Sequence, residues 1–548
     1  MKKIPKAVVV LASALLVLAT AGCGGGSGGA SAGLSPQGPS PQGPDCLFNA
    51  GSPECTPRAD GLPFVAFTSR SDGTLDAAVN TDVVATMSEA LDASSVKADS
   101  IRLVADDTSV VSGTTTYDPQ RMAVVFQPAA DLTPRRYTAT VDAGVRDAEG
   151  NRMGRAFSWS FTVDAARRDT DPQRAVQRLL DAAAYKFQIP GSIIAIRDDQ
   201  GRTWTTTNGY ADIAMRTPIR SNMLFRMGSN TKTYVATVIL QLVDARKVGL
   251  DDPVDKYLKD EMAAYLPNYD GGAITIRHLL QHTSGIANFT LDPDWGNAFI
   301  SDPTKQYFPQ ELLMIANSHA KDPNAPTFGN FFYSNTNYVL LGLVIRKASG
   351  MAYEDALANA IFLPWGMEAT YAPPIGVNAL QEPFSRGYWE DGETGTLHDV
   401  TLRDSSTVWS SGNLVTNIRE LARWGELLGR GTLLSSATQA QRLRYVPMDD
   451  HLNYGLGIVR DSRANLVGHQ GGMIGYTSQV YYVPDKRYTL AFFYNRTLAL
   501  HDYSDVMTYD ALAALWPDRP LQQALLLKGV PAPAPRTAPF KPGFLTEY

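Results

Sequence analysis

Residues 225–240 read FRMGSNTKTYVATVIL, with Ser229 and Lys232 at the mouth of an apolar segment that runs to Gly249. On a helix, positions i and i+3 share a face, so the hydroxyl and the amine are neighbours. A helix start also presents free N–H groups and the positive end of the dipole. A serine placed there can attack a carbonyl while its own N–H holds the developing oxyanion, and an adjacent amine can take its proton. The same spacing also describes a plain helix cap followed by a solvated lysine. Two further stretches bear on the choice. In FFYSNTNYVLLGLVIRKASG, Tyr333, Ser334 and Asn335 precede an amphipathic helix that closes at Gly350. In LVGHQGGMIGYTSQ, His469 lies on a predicted strand and is followed by Gly471 and Gly472, where a backbone can approach a ligand closely.

The elements that must position these residues follow from periodicity. Asp171 is the expected cap and Pro172 the first helical residue, after which Val176, Leu179, Leu180, Ala183 and Phe187 recur on one face. SIIAIR, the turn DDQG and TWTTTNGY predict a hairpin, and QVYYV, PDKR and YTLAFFYN predict another near the end. Helical patterns fill the interval. Strands at both ends with helices between predict one α/β (α+β) domain over residues 172–516. Its mainly antiparallel sheet would be flanked by helices and would join the two ends of the domain.

Residues 62–165 obey a different rule. FSWSFTV places Phe157, Trp159, Phe161 and Val163 on one side and Ser158, Ser160 and Thr162 on the other. Runs of this kind, separated by turns such as DAEGN, predict an N-terminal all-β sandwich. No titratable cluster stands out in it, so it reads as a spacer.

The flanks and the bulk composition narrow the function. Residues 1–22 read as a signal peptide: Lys2, Lys3 and Lys6 precede an apolar run, Ala7 to Ala19, that is short for a bilayer span. Two cuts compete. One comes after Ala19-Thr20-Ala21; the other precedes Cys23, which would then carry lipid. Thr20 stands where a lipobox usually has leucine, but the adjoining GGGSGGASAG suits the tether of an anchored protein. Residues 23–61 read as a Gly/Ser/Pro-rich linker and residues 517–548 as a Pro-rich surface tail. With Cys23 lipidated, Cys46 and Cys55 remain as a disulfide candidate in an exported setting, and no cysteine is left for catalysis. A net charge of −6 and the lack of a dense Lys/Arg run argue against a nucleic-acid partner. No metal and no organic cofactor is expected. His278 and His282 are spaced for a metal, but HLLQHTSG has no glutamate between them and no third ligand, so His282 is expected to hydrogen-bond a turn.

Taken in order, Ser229-Asn230-Thr231-Lys232, Tyr333-Ser334-Asn335 and His469-Gln470-Gly471 resemble the motifs of the serine penicillin-recognising hydrolases. They are most similar to the branch of class C β-lactamases, type B D-alanyl-D-alanine carboxypeptidases and related esterases. ITIRHLLQHTSGI, SSGNLVTNIRELARW and YGLGI add to a likeness that covers about residues 172–500. The sandwich resembles bacterial Ig-like domains through VNTDVVATMSEALD, YTATVDAGVRDAEGN and WSFTV. The resemblance implies a β-lactamase-like domain with a helical subdomain beside the sheet. It implies Ser229 as the nucleophile of an acyl-enzyme, with Lys232 and Tyr333 sharing the proton work. Asn335 would hold the substrate amide and Lys232, and His469 and Gly471 would line the substrate. The N–H groups of Ser229 and Gly472 would form the oxyanion hole.

Two proton carriers are implied because neither is basic enough alone. A free lysine, pKa ~10.4, is only about 0.04% neutral at pH 7, and holding it neutral costs about 5 kcal/mol without help from burial. This reading leans to Tyr333 as the base, with Lys232 as its electrostatic support. His469 departs from the lysine of many penicillin-hydrolysing members. At a pKa of ~6.5 it is about a quarter protonated at pH 7, which disfavours efficient β-lactamase action and favours peptidase or esterase chemistry. The expected substrates are peptidoglycan stem peptides ending in D-alanine, or small esters and amides. The expected location is the bacterial cell envelope, on a membrane through the lipid anchor. A weak β-lactamase, or a binding protein without turnover, are the alternative readings. No residue indicates an oligomeric state.

Overall fold

The protein is described as a computed structural model over residues 62–517, apart from 70, 71, 120, 121, 392–395 and 498–504. The expected signal peptide, Cys23, Cys46, Cys55, the linker to residue 61 and the tail from 518 lie outside the described residues. Among the described residues no helix is long and apolar enough to cross a membrane.

The alternating N-terminal stretch forms two four-stranded sheets among the described residues. Val65–Thr68, Val83–Met87, Ala123–Pro128 and Gly113–Asp118 make one; Thr74–Ala77, Phe157–Val163, Arg136–Val141 and Ile101–Ala105 make the other. Trp159, Phe161, Leu103, Tyr137 and Phe126 are buried between them, as the period of two requires. Ser158 and Ser160 pair across strands with Thr140 and Thr138. Asp169 ties the sandwich to the second domain. Its carboxylate accepts the Trp204 indole N–H at 2.8 Å and faces Arg167 at 3.2 Å, while its backbone bonds Asn80 on both sides.

The second domain begins with helix α1 (Asp171–Lys186). Its cap differs from expectation by one residue. Gln173 N–H donates to Thr170 Oγ1 and Thr170 N–H to Gln173 Oε1, so Thr170 closes a reciprocal cap and Asp171 lies inside the first turn. Strands β1 (Gly191–Arg197) and β2 (Thr203–Asp212) form the first hairpin across the DDQG turn. Three further helices bear on the site: α2 (Thr231–Asp244), α3 (Asn335–Ser349) and α4 (Ile418–Arg430). Strands β3 (Leu466–Met473), β4 (Tyr476–Val483) and β5 (Tyr488–Tyr494) come next, then α5 (Asp505–Leu515).

Strand β5 pairs with β1 from Thr489↔Arg197 to Tyr494↔Ser192, so the two ends of the domain meet inside one antiparallel sheet, nine-stranded among the described residues. Side chains alternate across it. Ile194, Ile196, Leu490 and Phe492 pack under α1 and α5; Ile193, Ala195, Ala491 and Phe493 pack on the opposite face with α2 and α4. Each fully buried isoleucine, leucine or phenylalanine among them contributes roughly 1.5–3 kcal/mol. Helix α2 is buried over Thr231–Leu240, which is the environment of a helix sandwiched on all sides. Trp424 of α4 anchors it: the indole stacks on Tyr234 at 3.8 Å and donates to Thr233 Oγ1 at 2.7 Å. Helices Asp255–Tyr265 and Pro309–Ser318 pack with α3 into the helical part beside the sheet.

Candidate active site

Ser229 sits in a single 3-10 turn, Gly228–Asn230, that leads into α2. The turn is tight because Gly228 has φ +54 and a Cβ there would lie 2.5 Å from the Gly472 carbonyl oxygen. That left-handed conformation suits glycine. A Cβ on Gly471 would overlap the Met227 carbonyl. The paired glycines therefore let β3 lie directly against the backbone that carries Ser229. Asn230 locks the contact: its Nδ2 donates to Ser478 Oγ, which donates to the Met227 carbonyl, both at 2.8 Å.

Lys232 is fully buried, which removes the reading of a capped helix with a solvated lysine. Its Nζ stands 2.9 Å from Ser229 Oγ, 2.6 Å from Asn335 Oδ1 and 2.8 Å from the Ser411 carbonyl. Burial alone holds its pKa well below the ordinary lysine range. Nζ also lies 4.8 Å from the centre of the Tyr333 ring. Tyr333, itself buried, stands at the end of the loop that enters α3. Asn335 opens α3, and its Nδ2 donates to Thr290 Oγ1. The Tyr333 and His469 rings are 6.4 Å apart. Ser229, Lys232, Tyr333, Asn335, His469, Gly471 and Gly472 thus converge on one place.

Three features of this place carry no signal of their role in the sequence. The Ser411 carbonyl, which fixes Lys232, lies in the SSGNLVTN stretch, where a backbone atom does the work and residue type is silent. Tyr454, in YGLGI, sets its hydroxyl 3.0 Å from His469 Nε2, while Nδ1 lies 2.5 Å from the Gln470 carbonyl. His282, fully buried with φ +60, brackets Tyr333: its carbonyl accepts the Phe332 N–H at 2.8 Å and its Nδ1 accepts the Ser334 N–H at 3.1 Å. Its ring packs 4.3 Å from that of Tyr333. The His282 side chain therefore bonds the entrance of α3 and not the turn of its own segment as expected, and in doing so it holds a site residue. His278 Nδ1 accepts the Thr275 N–H in a helix cap. Among the described residues, the carboxylates that gather closely enough for a cation are Glu89, Asp147 and Glu149, in the sandwich.

The buried imidazoles make stability depend on pH. Burial takes the His469 pKa down to about 3, and burial also holds His282 well below its ordinary value. Between about pH 6.5 and pH 3 the unfolded chain binds protons that the native state refuses, so this stability is complete above pH 6.5 and is lost as pH falls. The melting temperature is expected to fall on acidification from pH 7 to pH 4. His469→Gln should lose fewer degrees over the same interval; equal losses would refute the assignment.

The sequence model of the β-lactamase family matches residues 173–515. The chain belongs to the β-lactamase family. It is a serine hydrolase of that family, and residues 60–163 match the bacterial Ig-like domain. Penicillin-binding protein 4* of Bacillus subtilis (strain 168) is 29% identical over 343 residues, covering 59% of this chain and 72% of that protein. Among solved structures, the D-stereospecific amidohydrolase from Streptomyces sp. shares 30% identity with a TM-score of 0.55, over 62% of this chain and 98% of that one. The D-amino acid amidase from Ochrobactrum anthropi SV3 shares 25% identity with a TM-score of 0.55, over 63% of this chain and 99% of that one. The membership covers the whole sheet and the three converging motifs of this β-lactamase-family domain.

Proposed function

We propose that this chain is an exported hydrolase of amides or esters that works through a covalent acyl-enzyme on Ser229. The observation that supports it most is the 2.9 Å approach of the buried Lys232 amine to Ser229 Oγ. Asn335 Oδ1 and the Ser411 carbonyl can only accept, so two N–H groups of Lys232 are spent on them. A neutral amine then has its lone pair left for the Ser229 O–H, and burial favours the neutral form. This geometry supports Lys232 as the base, in place of the leaning to Tyr333. Tyr333, whose ring centre lies 4.8 Å from the same amine, gives its hydroxyl proton to the leaving group and regains one from the protonated Lys232.

In the forward step the Ser229 Oγ–carbon bond forms, the carbon–nitrogen or carbon–oxygen bond breaks, and the leaving group departs with the serine proton. Water then cleaves the acyl ester and restores the Ser229 O–H. The N–H groups of Ser229 and Gly472, on the two backbones that meet at the glycine contact, serve the oxyanion. The substrate range runs from peptides ending in D-alanine to small amides and esters. The names of the amidohydrolase and amidase neighbours, and of the penicillin-binding protein, support that range.

A fluorophosphonate probe with intact-mass readout tests the proposal. One adduct on the peptide carrying Ser229 is expected. No adduct on folded protein would leave a binding protein without turnover as the better reading. Export rests on the basic and apolar leader and the lipid anchor on Cys23. Radiolabelled palmitate is expected in wild type and absent from Cys23→Ser; equal labelling of both would refute the anchor.

A further inference from the structure

We propose that Thr290 is a positioning residue for the Ser229 reaction: its hydroxyl anchors the Asn335 amide, so that the amide oxygen stays on Lys232 while the amine collects and passes on the serine proton. The inference rests on the acyl-enzyme reading of Ser229 with Lys232 as base. It adds a group that has no hydrogen bond to either of those residues among the described ones.

The two ends of an amide are alike in size and opposite in bonding: the oxygen accepts and the nitrogen donates. Asn335 Oδ1 lies 2.6 Å from Lys232 Nζ. In that pose it takes an N–H from the amine whether the amine is neutral or carries the serine proton. With the amide turned over, an N–H would face the amine. It would occupy the lone pair of the neutral form and oppose an N–H of the protonated form. Either outcome spoils a base. The terminal torsion of asparagine is broad and roughly two-fold, so the backbone of α3 does not by itself hold the oxygen in place.

Thr290 grips the other end. Asn335 Nδ2 donates to its Oγ1 at 3.2 Å, which leaves the second N–H of that nitrogen for substrate. Protonated Lys232 can only donate and so selects the oxygen; the bond to Thr290 keeps the amide from swinging away between turnovers. Thr290 is buried in the 3-10 turn Phe289–Leu291, and other bonds set its place beside α3. Asn288 Oδ1 accepts the N–H groups of both Asn335 and Thr290, at 3.1 and 3.3 Å. Thr336 Oγ1 donates to the Ala287 carbonyl at 2.7 Å and accepts the Phe289 N–H at 3.2 Å. Ser334 Oγ donates to the same carbonyl at 3.1 Å. The Thr290 hydroxyl takes part in none of these, so its removal leaves the segment stitched to α3.

Thr290→Val keeps the shape and removes the hydroxyl. On p-nitrophenyl butyrate kcat is expected to fall about 3- to 10-fold, the worth of one buried hydrogen bond, with KM within about twofold of wild type. The acid limb of the kcat/KM profile, set by Lys232, is expected to move to lower pH by at least about 0.3, because the ammonium form loses a firmly held acceptor. Thr290→Ser restores the hydroxyl and is expected to keep both kcat and the limb at wild-type values. Four results overturn the inference: wild-type kcat in Thr290→Val; a loss of kcat with the limb unmoved, which a merely structural role would give; a rise in KM alone, which would make Thr290 a substrate contact; or a Thr290→Ser variant as impaired as Thr290→Val. Fluorophosphonate labelling of the wild type separates the two levels. A labelled enzyme with any of these results loses the role of Thr290 and keeps the acyl-enzyme; an unlabelled one loses both.

Discussion

Ser229→Ala is expected to lower kcat/KM on p-nitrophenyl butyrate by at least about 10⁴-fold, because it removes the only atom that would bond to the acyl group. The fold should survive. Ser229 Oγ has one described partner, Lys232 Nζ, and losing a single hydrogen bond costs about 0.5–1.5 kcal/mol. The burial of α2 is untouched, since Thr231–Leu240 keep their packing. Thermal melting of both proteins checks the second half of the statement. Activity within tenfold of wild type, in a variant that melts normally, would remove Ser229 from the chemistry.

The second large effect separates Lys232 from Tyr333. Lys232→Met keeps length and apolar stem but takes away the amine. It is expected to cost roughly 10³-fold or more in kcat and also to lower the melting temperature. The loss of stability arises because Asn335 Oδ1 and the Ser411 carbonyl lose the same buried donor, at about 1–3 kcal/mol for each acceptor left unsatisfied. Tyr333→Phe keeps the ring against His282 and Tyr454 and removes the hydroxyl. Proton transfer by a positioned group is worth about 10²–10⁴-fold, and Tyr333→Phe should sit at the lower end if Lys232 takes the proton from serine. Tyr333→Phe falling as far as Lys232→Met would return the role of base to Tyr333.

Much of the architecture was legible because it is written in short-range periodicity. FSWSFTV has a period of two, and its Trp159 and Phe161 are buried where that pattern places them. The DDQG and PDKR turns carry hairpins whose strands pair with each other across the domain. Glycine was informative for the same reason. Gly228 and Gly471 stand where two backbones touch, and a side chain has no room at either. The α1 cap was misplaced by one residue because Thr170 and Asp171 are both good caps, and only the reciprocal bond with Gln173 separates them.

The amino-acid sequence by itself determined which chemical groups the protein owns and which short segments carry them: a hydroxyl and an amine on one helical face, a phenol before a second helix, and an imidazole on a strand next to two glycines. Tertiary structure alone decided their protonation and their freedom to act. Lys232 loses its charge preference because α2 is enclosed on all sides, and His469 turns inward because Tyr454, two strands away in the sheet, holds its ring. Spacing along a chain fixes neighbours within a turn or two. The exclusion of water, and a hydrogen bond between residues that are remote until the sheet forms, depend on how separate elements pack.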